Sequence, residues 1–204
     1  MAKNYAKLAF SDASKVLQEK FGSRTNYIRV EEGTEFLGLT EREMGFIAER
    51  DSFYMATVGV NNYPYIQHRG GPRGFIKVLD NRRLGFIDFK GNMQYISVGN
   101  LATSNKVSLF FMDYAHKARL KIFAKAEIVE LKDDTELFKS LDFTDYKFKP
   151  ERMMVLHAEA YDWNCPQHIT PRYTVEEINA AFEPQKEYIK KLEAEIKFLK
   201  SNDK

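Results

Sequence analysis

Residues 53–90 read FYMATVGVNNYPYIQHRGGPRGFIKVLDNRRLGFIDFK, and the fold is decided there. Residues 53–60 are β-branched and aromatic, Asn61-Asn62 is a hairpin turn, and 63–68 resume an extended pattern. Residues 75–79 and 84–89 flank Asp80-Asn81 and predict a second hairpin, which Gly91-Asn92 ends. Working outward, 106–112, 120–131 and 153–161 are further strands. Residues 93–101 fit a short helix or extended chain, and Asp133-Asp134 starts a helix through Leu141. Upstream, 11–21 form an amphipathic helix capped by Ser11 or Asp12, and a polar stretch runs to about Gly38. Thr40 with Glu43 is a capping box for a helix ending near Asp51. Six or so short strands with helices at the ends, and one long helical connection, predict a mainly β, antiparallel barrel. A parallel nucleotide-binding sheet is disfavoured, because strands and helices do not alternate and no glycine-rich phosphate motif occurs.

The 204 residues predict one domain: a helical lead-in over 1–51, a barrel over 52–170 and a helical extension over 174–204. The charge of +2, from 31 basic and 29 acidic residues, gives no global pull toward nucleic acid. No apolar run has transmembrane length and the N-terminus lacks a signal-peptide core, so no membrane role and a cytoplasmic location are expected. The single cysteine, Cys165, excludes an intramolecular disulfide. In the extension, Thr174 with Glu177 is a second capping box. Ile178, Phe182, Ile189, Leu192, Ile196 and Leu199 form an apolar seam, with Gln185 in its one polar place. Pro184 fits the first turn of a second helix, leaving too few heptads for a coiled coil. The seam suits either packing on its own domain or a contact between subunits.

Four clusters are candidates for chemistry. In Gln67-His68-Arg69-Gly70-Gly71-Pro72-Arg73-Gly74 the glycines permit close backbone approach and the arginines suit phosphate, although an ordinary turn with solvated arginines reads the same way. Asp88-Phe89-Lys90-Gly91-Asn92-Met93-Gln94 leaves a strand and enters the candidate helix, whose first N–H groups favour an anion; a capped helix start with a surface lysine is the alternative. Arg119 and Lys121 share one face of a strand, near an anion or as a solvated edge. Trp163-Asn164-Cys165-Pro166-Gln167-His168 gathers the sole tryptophan, the sole cysteine and a histidine, without a zinc-ligand spacing or a nucleophile pattern.

The segments ATVGVNNYPYIQHRGGPRGFIKVLD, LGFIDFKGNMQYISVGNLATSNKVSLFFMDY and RLKIFAKAEI, in that order, resemble the FMN-binding split barrel of the pyridoxamine 5′-phosphate oxidase superfamily. The HRGG, GN and NCP elements are closest to its uncharacterised flavoprotein branch. The resemblance implies a six-stranded antiparallel split barrel, a homodimer and FMN in a cleft at the subunit interface. It places Gln67, His68, Arg69, Gly70 and Gly71 on a first ligand strand and Ile87 and Asp88 on a second. Lys90, Asn92 and Gln94 fall in or beside the phosphate loop, Arg119 at a flavin-reaching position with Lys121 on the same face, and Trp163, Asn164 and His168 reach the cleft late in the chain. The implied activity is an FMN-dependent oxidoreductase with a small-molecule substrate or an electron donor such as NADH or NADPH. The oxidase's Arg-x-Val-Leu-Leu-Lys strand, Ser-Arg-Lys loop and Arg-x-His substrate motif are absent, so pyridoxamine phosphate is not the expected substrate. A non-catalytic flavin-binding or sensing protein stays open, as does haem or F420 on the same barrel, with His68 or His168 as haem ligand.

Overall fold

The computed structural model describes residues 4–33, 35–143, 145–163 and 165–202. The strands are β1 (Ser52–Val58), β2 (Pro64–Gly70), β3 (Lys77–Val78), β4 (Arg83–Phe89), β5 (Lys106–Asp113), β6 (Ala118–Val129) and β7 (Pro150–Trp163). The helices are α1 (Tyr5–Ala9), α2 (Asp12–Lys20), α3 (Arg24–Gly33), α4 (Glu41–Ala48), α5 (Ile96–Thr103), α6 (Thr135–Leu141) and α7 (Val175–Asn202). All strand pairs are antiparallel, in the order β2-β1-β5-β6-β7-β4-β3. The expected antiparallel sheet is present, with seven strands rather than six and with β2 and β3 as unjoined edges. The expected strand at 75–79 shrinks to two residues because Phe75 and Ile76 turn into the core and the Phe75 N–H bonds the Pro72 carbonyl.

The sheet curls around an aromatic centre. β1 buries Phe53 and Met55, β5 buries Leu109 and Phe111, and β6 buries Leu120 and Ile122 at alternate positions, so their inner faces converge. Phe53 lies 5.1 Å from Phe111, a neighbour across one strand pair, and 5.5 Å from Phe86 on β4. β1 and β4 are four strand steps apart in the sheet, roughly 19 Å if it were flat. The 5.5 Å contact therefore requires the sheet to curve until its ends approach. β4 is covered on both sides, since Ile87 packs outward with Leu141 of α6 and Met153 of β7.

Chain contacts divide the protein into two compact units, Met1–Asp113 with Ala118–Pro166, and Tyr114–Lys117 with Gln167–Lys204. Among the described residues, the first holds the sheet and six helices. In it the Thr40 capping box forms, with the Glu43 carboxylate accepting from the Thr40 N–H at 3.0 Å. The polar stretch before Gly38, expected without helix, contains α3. Ion pairs from Lys15 and Arg24 to Glu31 hold that helix, and neither is visible to local periodicity. In the second unit Thr174 and Glu177 cap α7 reciprocally at 2.7 and 3.2 Å. α7 is one helix of 28 residues that continues through Pro184, where a second helix was expected to begin. Among the described residues no helix is long and apolar enough to cross a membrane.

Candidate functional site

The curled sheet leaves a cleft where β2 faces β4. Tyr65, Gln67 and Arg69 line it from β2, Asp88 and Phe89 from β4, and Glu151 and Arg152 from β7. Residues 91–98 close the remaining side, running from the end of β4 into α5. The strand period explains the β2 set. Register pairs Phe53 with Arg69 and Met55 with Gln67, so alternate β2 residues face the core side of the sheet. His68 faces the other way and stacks edge-on against Tyr54 at 5.5 Å. The contiguous cluster over 67–71 is thereby split between two faces.

Asp88 is the electrostatic centre. It is 4% exposed, on the inward face at the end of β4. Arg152 is its register partner on β7 and donates from Nη1 to Asp88 Oδ2 at 3.0 Å. Arg69 reaches across the split from the opposite end of the sheet and donates from Nη1 to Asp88 Oδ1. A buried carboxylate between two guanidiniums has the charge partners that burial demands. Arg69 is left with a buried Nε that has no hydrogen-bond partner. Arg152 also meets Glu151 at 3.4 Å and lies over the Tyr95 ring at 5.2 Å. The Tyr95 hydroxyl donates to Glu151 at 3.1 Å, and that hydrogen bond to a carboxylate raises the phenol's pKa above its usual value.

The loop before α5 has an unusual backbone. Met93 and Tyr95 both adopt left-handed conformations, at φ 59° and 51°. Such geometry disfavours side-chain-bearing residues and concentrates at ligand-binding segments. The Asn92 side chain accepts from the Gln94 N–H at 3.2 Å and steadies the turn. Tyr95 caps α5, and the first intrahelical bond runs from the Gly99 N–H to its carbonyl. The N–H groups of Ile96, Ser97 and Val98 thus have no intrahelical partners, and all three residues line the cleft. Ser97 Oγ donates to Gln67 Oε1 at 2.9 Å, joining α5 to β2. Asp88 and Glu151 offset the charges of the two arginines, and the guanidinium N–H groups together with the helix start present donors suited to an anionic group.

The structure thus brings together Gln67, Arg69, Asp88, Asn92 and Gln94 from the sequence reading. It adds Arg152, Glu151, Tyr95 and Ser97. Arg152 carries no local signal, since its place depends on the register of β7 against β4. The other candidates lie elsewhere in the chain. The Gly71 N–H bonds the Asp51 carbonyl at 2.9 Å, and a Cβ at Gly71 would sit 2.7 Å from Phe75 Cβ, so this glycine admits a core phenylalanine. At Gly70 a Cβ would lie 2.9 Å from the His68 ring. Ile87 is core, and the Lys90 N–H bonds the Lys149 carbonyl while its side chain is exposed.

Arg119 Nη2 donates to the Cys165 carbonyl at 2.6 Å, and its Nε is a second buried nitrogen without a partner. Lys121 pairs with Asp162 at 2.8 Å and lies over the Tyr5 ring. Trp163 donates from Nε1 to Glu43 at 2.7 Å, packs on Phe46 and takes Arg42 over its face. His168 belongs to the second unit, with an exposed side chain and φ 62°. Asn164 lies outside the described residues.

A curled antiparallel sheet with an anion-suited cleft at its split defines the class of protein. Residues 39–162 match the family model for pyridoxamine 5′-phosphate oxidase, and the chain belongs to that family. A candidate pyridoxamine 5′-phosphate oxidase from Lactobacillus delbrueckii is 24% identical, with 61% of this chain and 93% of that one covered and a TM-score of 0.47. An FMN-binding protein from Syntrophomonas wolfei is 16% identical, covering 74% and 97%, also with a TM-score of 0.47. HupZ of Group A Streptococcus is 14% identical, covering 66% and 100%, with a TM-score of 0.48. No curated protein matches the chain.

Proposed function

We propose that the protein binds FMN in this cleft and acts as an FMN-dependent oxidoreductase on a substrate other than pyridoxamine phosphate. The observation that carries the reading is Arg69, whose buried Nε has no partner although its Nη1 is tied to Asp88. A buried donor left unsatisfied is destabilising, and a phosphate oxygen would satisfy it. Arg152 and the N–H groups opening α5 would hold the same phosphate. The flavin would supply the electron transfer, and the protein would anchor and orient it. The cleft is formed by one chain, and a second copy would complete it. In that homodimer Arg119 and Trp163, which do not line the cleft of their own chain, would come from the neighbouring subunit.

Titration of the apoprotein with FMN and with riboflavin tests the assignment. Riboflavin lacks the phosphate and should bind at least tenfold more weakly, the equivalent of one charge-assisted contact of about 1.5 kcal/mol. Equal affinities would remove the phosphate from this cleft. The absorption spectrum of the purified protein tests the cofactor, since a haem band or a deazaflavin band in place of a flavin one would replace FMN. Reduction of bound flavin by NADH or NADPH, with turnover, would separate an enzyme from a flavin-binding protein without catalysis.

A further inference from the structure

Because α7 runs unbroken from Val175 to Asn202, its apolar seam is continuous. Ile178, Phe182, Gln185, Ile189, Leu192, Ile196 and Leu199 follow one another at alternating intervals of four and three. That spacing spans three heptads and about 32 Å of helix. It puts Phe182, Ile189 and Ile196 at heptad position a and Ile178, Gln185, Leu192 and Leu199 at position d. The six apolar members are between 39% and 55% exposed. Tyr188 at g and Phe198 at c, 63% and 64% exposed, lie outside this seam; a helix lying on a globular surface buries its apolar stripe, whereas an exposed seam running through a and d is the pattern of helices that pair.

We infer that two copies of this chain pair through α7 as a parallel, two-stranded coiled coil. Three features select a second copy in that orientation. Isoleucine at a with leucine at d, as at Ile189, Leu192, Ile196 and Leu199, favours parallel dimers. In a parallel pair Gln185 meets Gln185 of the other copy, so the two amides can bond each other. An antiparallel pair in register would set Gln185 against Ile196 and bury an unmatched amide. At the flanks, Glu195 at g faces Lys200 at e of the other copy, twice by symmetry. The remaining g–e pairs, Ala181 with Lys186 and Tyr188 with Glu193, contain no like charges. Pro184 falls at position c, away from the seam, so its missing N–H opens the outer side of the helix.

Cross-linking of the full chain tests this independently of the flavin assignment, since FMN titration reports the cleft and the cross-link reports the helix. In a Cys165→Ser background, Gln185→Cys should give disulfide-linked dimers on mild oxidation. Glu187→Cys, on the outer side at position f, should give at least tenfold less. Adding Ile189→Asp and Ile196→Asp to the Gln185→Cys chain should abolish the cross-link. Absence of the Gln185→Cys dimer, or equal yield at positions 185 and 187, would overturn the pairing. If instead α7 packs within its own chain, the two aspartates would lower the melting temperature and no cross-link would form in either background.

Discussion

Asp88→Asn isolates the charge arrangement at the split of the sheet. The substitution keeps shape and one acceptor oxygen and removes the carboxylate charge that Arg69 and Arg152 share. The three side chains are 12%, 15% and 5% exposed for Arg69, Arg152 and Asp88, so water compensates little for the loss. Breaking a buried pair by removing one partner is worth about 3–5 kcal/mol. The residual exposure of both guanidiniums puts the expectation at the lower end, about 3 kcal/mol. For a chain of this length that corresponds to a fall in melting temperature of about 6–12 °C. Urea unfolding of the apoprotein, followed by fluorescence of the single tryptophan, measures it. The same variant carries a second expectation of opposite sign. With Asp88 neutral, both guanidiniums are free for an external anion, so inorganic phosphate should stabilise Asp88→Asn more than the parent chain. A loss below about 1 kcal/mol would show that Asp88 does not hold the two arginines together. A normal loss with no added response to phosphate would keep the ion pairs and refute the cleft as an anion site.

Glu43 should give the protein an acid-sensitive term. Burial opposes its ionisation, but hydrogen bonds from Thr40, Trp163 and Tyr161 outweigh it and hold the carboxyl below its usual pKa. A lowered folded pKa means stability that is fully present above the unfolded value of about 4.3 and lost as pH falls through the folded one. Glu43→Gln should therefore flatten the decline in urea midpoint between pH 6 and pH 3, and an unchanged slope would exclude the group. Arg119→Ala should weaken FMN binding at least tenfold in the dimer, whereas Lys121→Ala, which loses a partly exposed pair with Asp162, should mainly lower stability by about 0.5–1 kcal/mol. Fluorescence titration of each variant separates them, and a larger affinity loss at Lys121 would reverse the assignment.

The sequence carried what is local and missed what depends on register. Alternation of apolar residues marked β1, β5 and β6, and the reciprocal Thr-to-Glu spacing marked the starts of α4 and α7, because each signal is complete within a few residues. α3 was missed for the converse reason, since its Glu31 anchors to Lys15 on another helix. The site divides along the same line. Arg69 is named by its chemistry and Gln67 and Asp88 by the family resemblance, but five consecutive residues on a strand cannot share a face, and His68 leaves the group on that ground. Arg152 becomes visible only when β7 pairs with β4 and sets it opposite Asp88. Arg69 then meets the same carboxylate only because the sheet curls far enough to bring its second end across the gap. The glycine pair teaches the reverse lesson. Gly71 looks like a ligand-binding glycine in sequence, yet its missing side chain makes room for Phe75, and Phe75 stacks on the Phe53 that the curl brings against Phe86. A residue outside the cleft lining thus acts through the core that bends the sheet, and the bend is what lets two arginines from distant strands converge on one acid.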